Sequence, residues 1–88
     1  MKENEETAGE LIGEIFDYFA RVEVAAIKLA GNIKKGDKIR IKGATTDFEQ
    51  EVKSMQIDRK EVKEANSGDD IGIKVTERVR RHDKIYKL

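Results

Sequence analysis

The sequence predicts an all-β chain, a small closed barrel of about six strands. Three observations carry this: alternating apolar runs recur at even spacing, clusters of glycine, Asn, Asp and Ser separate them, and no segment joins helical periodicity to capping signals. Proline is absent. Closure of the sheet also removes the unpaired edges that a short open sheet would expose.

The clearest strand lies between Gly31 and Gly43, where Ile39 and Ile41 alternate with Lys38, Arg40 and Lys42 after the turn chemistry of Lys34-Lys35-Gly36-Asp37. Before it, Leu11 to Phe19 carries β-branched and aromatic residues around Gly13, which suggests a strand that bends or lets another backbone come close. Val22 to Ala30 has apolar residues on both faces; helix periodicity fits it too, and the strand reading rests on the Gly31 turn that ends it. Phe48 to Asp58 alternates, with the apolar face changing sides near Ser54, as at a bulge or a barrel corner. Val62 to Ala65 leads into Asn66-Ser67-Gly68-Asp69-Asp70, a turn whose side chains can bond their own backbone. Ile71, Ile73 and Val75 then alternate with Gly72, Lys74 and Thr76, and Lys84 to Leu88 closes the set.

The 88 residues suffice for one domain with a modest core. Residues 1–10 hold Lys2 against Glu3, Glu5, Glu6 and Glu10 with little apolar content, so they are expected to form an acidic flexible tail, with the domain over 11–88. That tail carries −3; the balance of 18 basic and 18 acidic residues leaves +3 for the rest. Without cysteine there is no disulfide framework, thiolate metal site or cysteine nucleophile. No apolar run approaches the ~18 residues of a membrane span, so a cytoplasmic protein without membrane contact is expected. Charged residues make up 41% of the chain against ~25% in ordinary domains, in keeping with a thermophilic source.

Taken together, Ile33, Lys35-Gly36-Asp37, Ile39-Arg40-Ile41, Gly43 and above all Ala65-Asn66-Ser67-Gly68-Asp69-Asp70-Ile71-Gly72 make the chain resemble the second, β-barrel domain of translational GTPases such as elongation factor Tu. The resemblance implies a Greek-key barrel standing alone. A phosphate-binding loop of the Gly-x-x-x-x-Gly-Lys-Ser/Thr type is missing, so no GTP binding and no cofactor are expected. In that family an acidic residue and an arginine three positions later help hold the 3′ end of aminoacylated tRNA; the match places Gln56 and Arg59 there, with Ile71 as an apolar floor and Lys74 where the family has an apolar residue. His82 stands where the family has glycine.

The implied function is a non-enzymatic module that binds RNA, the tRNA acceptor end or ribosomal RNA, through Gln56, Arg59 and Ile71. Arg78, Arg80 and Arg81, with His82 and Lys84, form a second basic cluster for phosphate or an acidic partner. The alternative is a protein-interaction adaptor using the same face. Plain structural roles compete at each position: a solvated strand end for Gln56 and Arg59, a solvated loop for the arginines, turn formation for Asp69-Asp70, an exposed loop for His82, and core or barrel rim for Phe16, Tyr18 and Phe19. With one histidine and no convergent titratable cluster, neither a metal site nor a catalytic triad is expected.

Overall fold

The computed structural model describes residues 9–88, and all of its regular elements are strands: β1 (Glu10–Phe19), β2 (Val24–Leu29), β3 (Ile33–Lys34), β4 (Lys38–Lys42), β5 (Asp47–Glu51), β6 (Met55–Ile57), β7 (Lys60–Glu61), β8 (Glu64–Ala65), β9 (Asp70–Lys74) and β10 (Lys84–Lys87). Most of the expected tail lies outside the described residues. Glu10 heads β1, opposite Lys87. Among the described residues no helix is long and apolar enough to cross a membrane.

Alternation explains why these segments are strands. Ile39 and Ile41 of β4 and Ile71 and Ile73 of β9 are buried while their neighbours face outward, and each set joins one core with Ile12, Ile15, Ile27, Leu29, Met55 and Ile85. Val22 to Ala30 resolves into a turn followed by β2, whose Ala25, Ala26 and Ile27 are all buried. The mixed pattern of that run reflects small side chains that fit on either face.

Eight strands pair antiparallel in the order β5-β4-β10-β1-β2-β9-β6-β7, and β3 pairs with β8 in a separate two-stranded ladder. The small ladder is tied down by Lys35 N–H donating to Lys63 C=O at 2.9 Å and Gly68 N–H donating to Leu29 C=O at 2.9 Å. The run from Phe48 to Asp58 divides where the apolar face changes sides, giving β5 before Val52–Ser54 and β6 after it.

The expectation of a closed barrel of six strands is corrected here. No ladder joins β5 to β9 or to β7, so the pairing stays open. A single side chain bridges the resulting seam. Gln50, buried at 9% exposure, donates from Nε2 to Lys74 C=O at 3.0 Å and accepts at Oε1 from Thr76 N–H at 2.9 Å. A carboxamide has one donor and one acceptor group side by side, as a peptide unit does, so it can satisfy a strand edge without being a strand.

The far end is held by Asp83. Its buried carboxylate accepts from Arg80 N–H at 2.9 Å, and its backbone C=O accepts from Ile15 N–H at 2.8 Å. The carboxylate lies against Gly43, where a Cβ would overlap it. This contact, rather than turn flexibility, fixes glycine at the end of β4.

Gln50→Leu keeps the volume but leaves Lys74 C=O and Thr76 N–H without partners. It is expected to lower unfolding free energy by about 1–3 kcal/mol in a urea titration. Loss below about 0.5 kcal/mol would mean that water takes over both groups.

Candidate functional site

The shape of the outer face follows from β1. This strand pairs with β10 on one side and β2 on the other, and it carries a bulge against each: Ile12 is extra between Leu11↔Tyr86 and Gly13↔Ile85, and Phe16 is extra between Ile15↔Ile27 and Asp17↔Ala26. In an unbroken strand, residues three apart face opposite sides; the bulges let both Ile12 and Ile15 reach the core. The same irregularity turns Phe16 outward, where it is 47% exposed. Phe19 is 50% exposed and Leu11 48%. The expectation of Phe16 and Phe19 as core or rim residues therefore holds only as far as the rim; of the three β1 aromatics, Tyr18 is the one that packs against the core.

Two depressions open on this face, and both include Phe16. One, of about 350 Å³, lies among Leu11, Gly13, Phe16, Leu29 and Ala30, with Glu14, Lys28 and Lys84 around it. Gly13 keeps its floor low: a Cβ there would meet Ile27 Cγ2 at 2.9 Å and Lys28 C=O at 3.1 Å, the close approach that the sequence suggests. The other, of about 280 Å³, is lined by Phe16, Phe19, Val24, Ala26, Ile71 and Gly72, with Gln56, Asp58, Arg59 and Asp70 also on its wall. Glycine again leaves the room, since a Cβ at Gly72 would stand 3.2 Å from Val24 Cγ1.

Gln56, Arg59 and Ile71 are thus brought together, as the sequence expects, yet around an apolar depression shared with two exposed phenylalanines. Ile71 is buried at 3% exposure and serves the core. Arg59 sits in the two-residue turn of the β6–β7 hairpin, where Asp58 and Arg59 have φ of 53° and 66°. Both central residues positive is the primed turn that matches strand twist, a position where glycine or asparagine normally stands. Arg59 makes no ion pair or hydrogen bond among the described residues.

Arg78, Arg80 and Arg81 do not join them. They lie in the β9–β10 connection, where Arg81 approaches Asp17 at 3.8 Å and Arg78 lines a hollow beside Tyr18 and Glu23. The expected basic cluster is divided by acids of β1. His82 Nδ1 lies 3.1 Å from Glu14 Oε2 and Lys84 Nζ 3.5 Å from Glu14 Oε1. The hydrogen bond from His82, then the Lys84 charge, hold the Glu14 carboxyl below its ordinary value of 4.5. Arg40 likewise grips Asp47 with two bonds of 2.8 Å, lowering that carboxyl. Sequence reasoning missed the exposed strip of Leu11, Phe16 and Phe19; the odd spacing of Ile12 and Ile15 is the signal that points to the bulges.

No family model matches the chain. It is 42% identical over 78 residues to an uncharacterized protease of Methanocaldococcus jannaschii, covering 88% of this chain and 19% of that protein. It is 36% identical over 79 residues to a collagenase of Porphyromonas gingivalis, covering 88% of this chain and 22% of that one. The chain therefore spans about a fifth of the length of these curated relatives. Its fold is that of the crystallised C-terminal domain of a Geobacillus thermoleovorans protein described as a U32 peptidase, with a TM-score of 0.84 and 17% identity over 90% of this chain and 92% of that one.

These findings overturn the resemblance to translational GTPases, the RNA-binding function built on it, and the expectation of a non-enzymatic module, since the relatives are named as proteases. The physical reason is plain at Ala65 to Gly72. Asn66 N–H donates to the Asp69 carboxylate at 2.9 Å, Asp69 N–H donates to Asn66 C=O at 3.0 Å, and Gly68 has φ of 96°. The motif is a turn that feeds a strand, a requirement of the backbone that unrelated β-domains share.

Arg59→Gly should raise stability by up to about 1 kcal/mol in a denaturant titration, by relieving a left-handed residue. Glu14 gives an acid-side test. Its folded-state carboxyl is depressed, so its contribution is present above pH 4.5 and fades as the pH falls through the lower folded value. Wild type is accordingly expected to exceed Glu14→Gln in stability at neutral pH, with the gap narrowing in acid; a gap independent of pH would rule out the charge as its cause.

Proposed function

We propose that this chain is the β-domain of a U32-type peptidase and serves that protein's proteolysis. The observation that supports this above all is the 42% identity to a segment making up 19% of a protease, over nearly the whole of this chain. The collagenase match and the fold of the U32 C-terminal domain agree with it. The working surface in this reading is the strip of Leu11, Phe16 and Phe19 with its two glycine-floored depressions. Large exposed apolar side chains grouped on one face mark a contact surface in a soluble domain. Its charged surround of Lys28, Asp70, Arg59 and Lys84 gives the polar rim usual for such contacts. The strip packs on the larger part of the peptidase and holds the domain in place beside it.

The test is an exchange. The M. jannaschii protease is prepared whole, with the matching segment deleted, and with this chain in its place, and hydrolysis of casein and gelatin is followed. Deletion is expected to reduce hydrolysis several-fold and this chain to restore it, whereas the same chain carrying Phe16→Ser and Phe19→Ser does not. Unchanged hydrolysis after deletion sinks the reading.

A further inference from the structure

The seam between β5 and β9 has the form of a place left for one more strand. Gly43 N–H donates to Thr46 C=O at 2.7 Å and Val52 N–H to Asp37 C=O at 2.9 Å, so the bonded pairs between them fall at Ile41↔Phe48 and Ile39↔Gln50. Bonded and non-bonded pairs alternate in an antiparallel ladder, so Glu49 and Glu51 turn their N–H and C=O groups away from β4 and into the seam.

On the opposite bank the same count applies. Val75 N–H donates to Glu23 C=O and Leu29 N–H to Asp69 C=O, both at 2.9 Å, which assigns Ile71 and Ile73 to β2 and turns Gly72 and Lys74 the other way. Gly72 meets Gln56 of β6, but β6 begins at Met55, so Lys74 lies beyond its end. Among the described residues no backbone hydrogen bond joins β5 to β9. Paired strands stand about 4.8 Å apart, and here a whole Gln50 side chain spans the gap. The cleft outside it, about 450 Å³, is lined by Glu49, Gln50, Glu51, Lys53, Ser54, Lys74 and Thr76.

We propose that this seam accepts an extended polypeptide segment carrying lysine or arginine, which adds to β5 as a strand. Its backbone pairs with Glu49 and Glu51, and its basic side chains meet their carboxylates, which are exposed and outside the ion pairs of the described residues. The segment replaces the Gln50 amide at Lys74 C=O and Thr76 N–H on the β9 side, and displaces its longer 3.4 Å bond to Glu51 C=O on the β5 side. A second copy of this chain is the wrong occupant, because β5 against β5 would bring Glu49 and Glu51 of both copies together. The strand acceptor is independent of the peptidase reading, and either can fail alone.

The probe is a short acetylated peptide of alternating Lys and Val, with the Glu–Val version as a control, titrated into the full chain and followed by amide NMR and hydrogen exchange. The Lys–Val peptide is expected to slow exchange at Glu49 and Glu51 by about tenfold or more at saturation, through new ladder bonds. Binding should weaken with salt, and the Glu–Val control should not bind. Glu49→Lys with Glu51→Lys, both at exposed positions, should reverse the preference between the two peptides. The proposal is overturned if the folded protein shows no protection at Glu49 and Glu51, or if the peptide perturbs the Phe16 strip instead.

Discussion

The structure depends on one strand having to keep two ladders at once. β1 lies inside the eight-stranded sheet, with β10 along one edge and β2 along the other, while the sheet wraps round a core of isoleucines. A strand bent that far cannot hold a single register against both neighbours, and the misfit is absorbed at Ile12 on one side and Phe16 on the other. Each bulge rotates the residues after it. One rotation puts Ile12 and Ile15 into the same core; the other leaves Phe16 in solvent between two glycine-floored depressions. The exposed apolar strip is thus a by-product of how the core is filled.

Much of the fold is legible from the sequence where alternation is clean. Ile39 and Ile41, and Ile71 and Ile73, declare their strands because one face of each is charged or polar and the other aliphatic. The turn from Asn66 to Asp70 is equally plain, since its residues bond their own backbone. The change of face near Ser54 is visible too, and becomes the break between β5 and β6. What the sequence does not disclose is pairing. Two-residue elements such as β3, β7 and β8 carry no period, and exist only because a partner lies alongside. Closure is a property of the last pair of strands, and no local pattern states whether that pair meets.

The candidate site shows the same division. Gln56, Arg59 and Ile71 do share a depression, because β6 and β9 are neighbours and the hairpin turn at Asp58-Arg59 folds back beside them. Their surroundings, Phe16 and Phe19, come from β1, and sequence gives no sign of that meeting except the odd spacing of its isoleucines. The arginines from Arg78 to Arg81 look like one basic cluster in sequence; Glu14 and Asp17, more than sixty residues earlier, approach the same loop and divide it.

Gln50 belongs at once to the core face of β5 and to the open seam beside it. On alternation alone it belongs to the inward face of β5, where an apolar residue is the ordinary choice. A leucine there would fill the space, yet it would leave Lys74 C=O and Thr76 N–H without the partners that the carboxamide supplies. The carboxamide meets both, and among the described residues no buried side-chain polar atom is left without a partner. Alternation that turns Gln50 inward turns Glu49 and Glu51 outward, so one strand stitches the seam from within and charges it from without. Such an edge resists pairing with its own kind and stays open to a strand of opposite charge. A polar residue on an apolar face is therefore the one mark in the sequence of where the sheet stops.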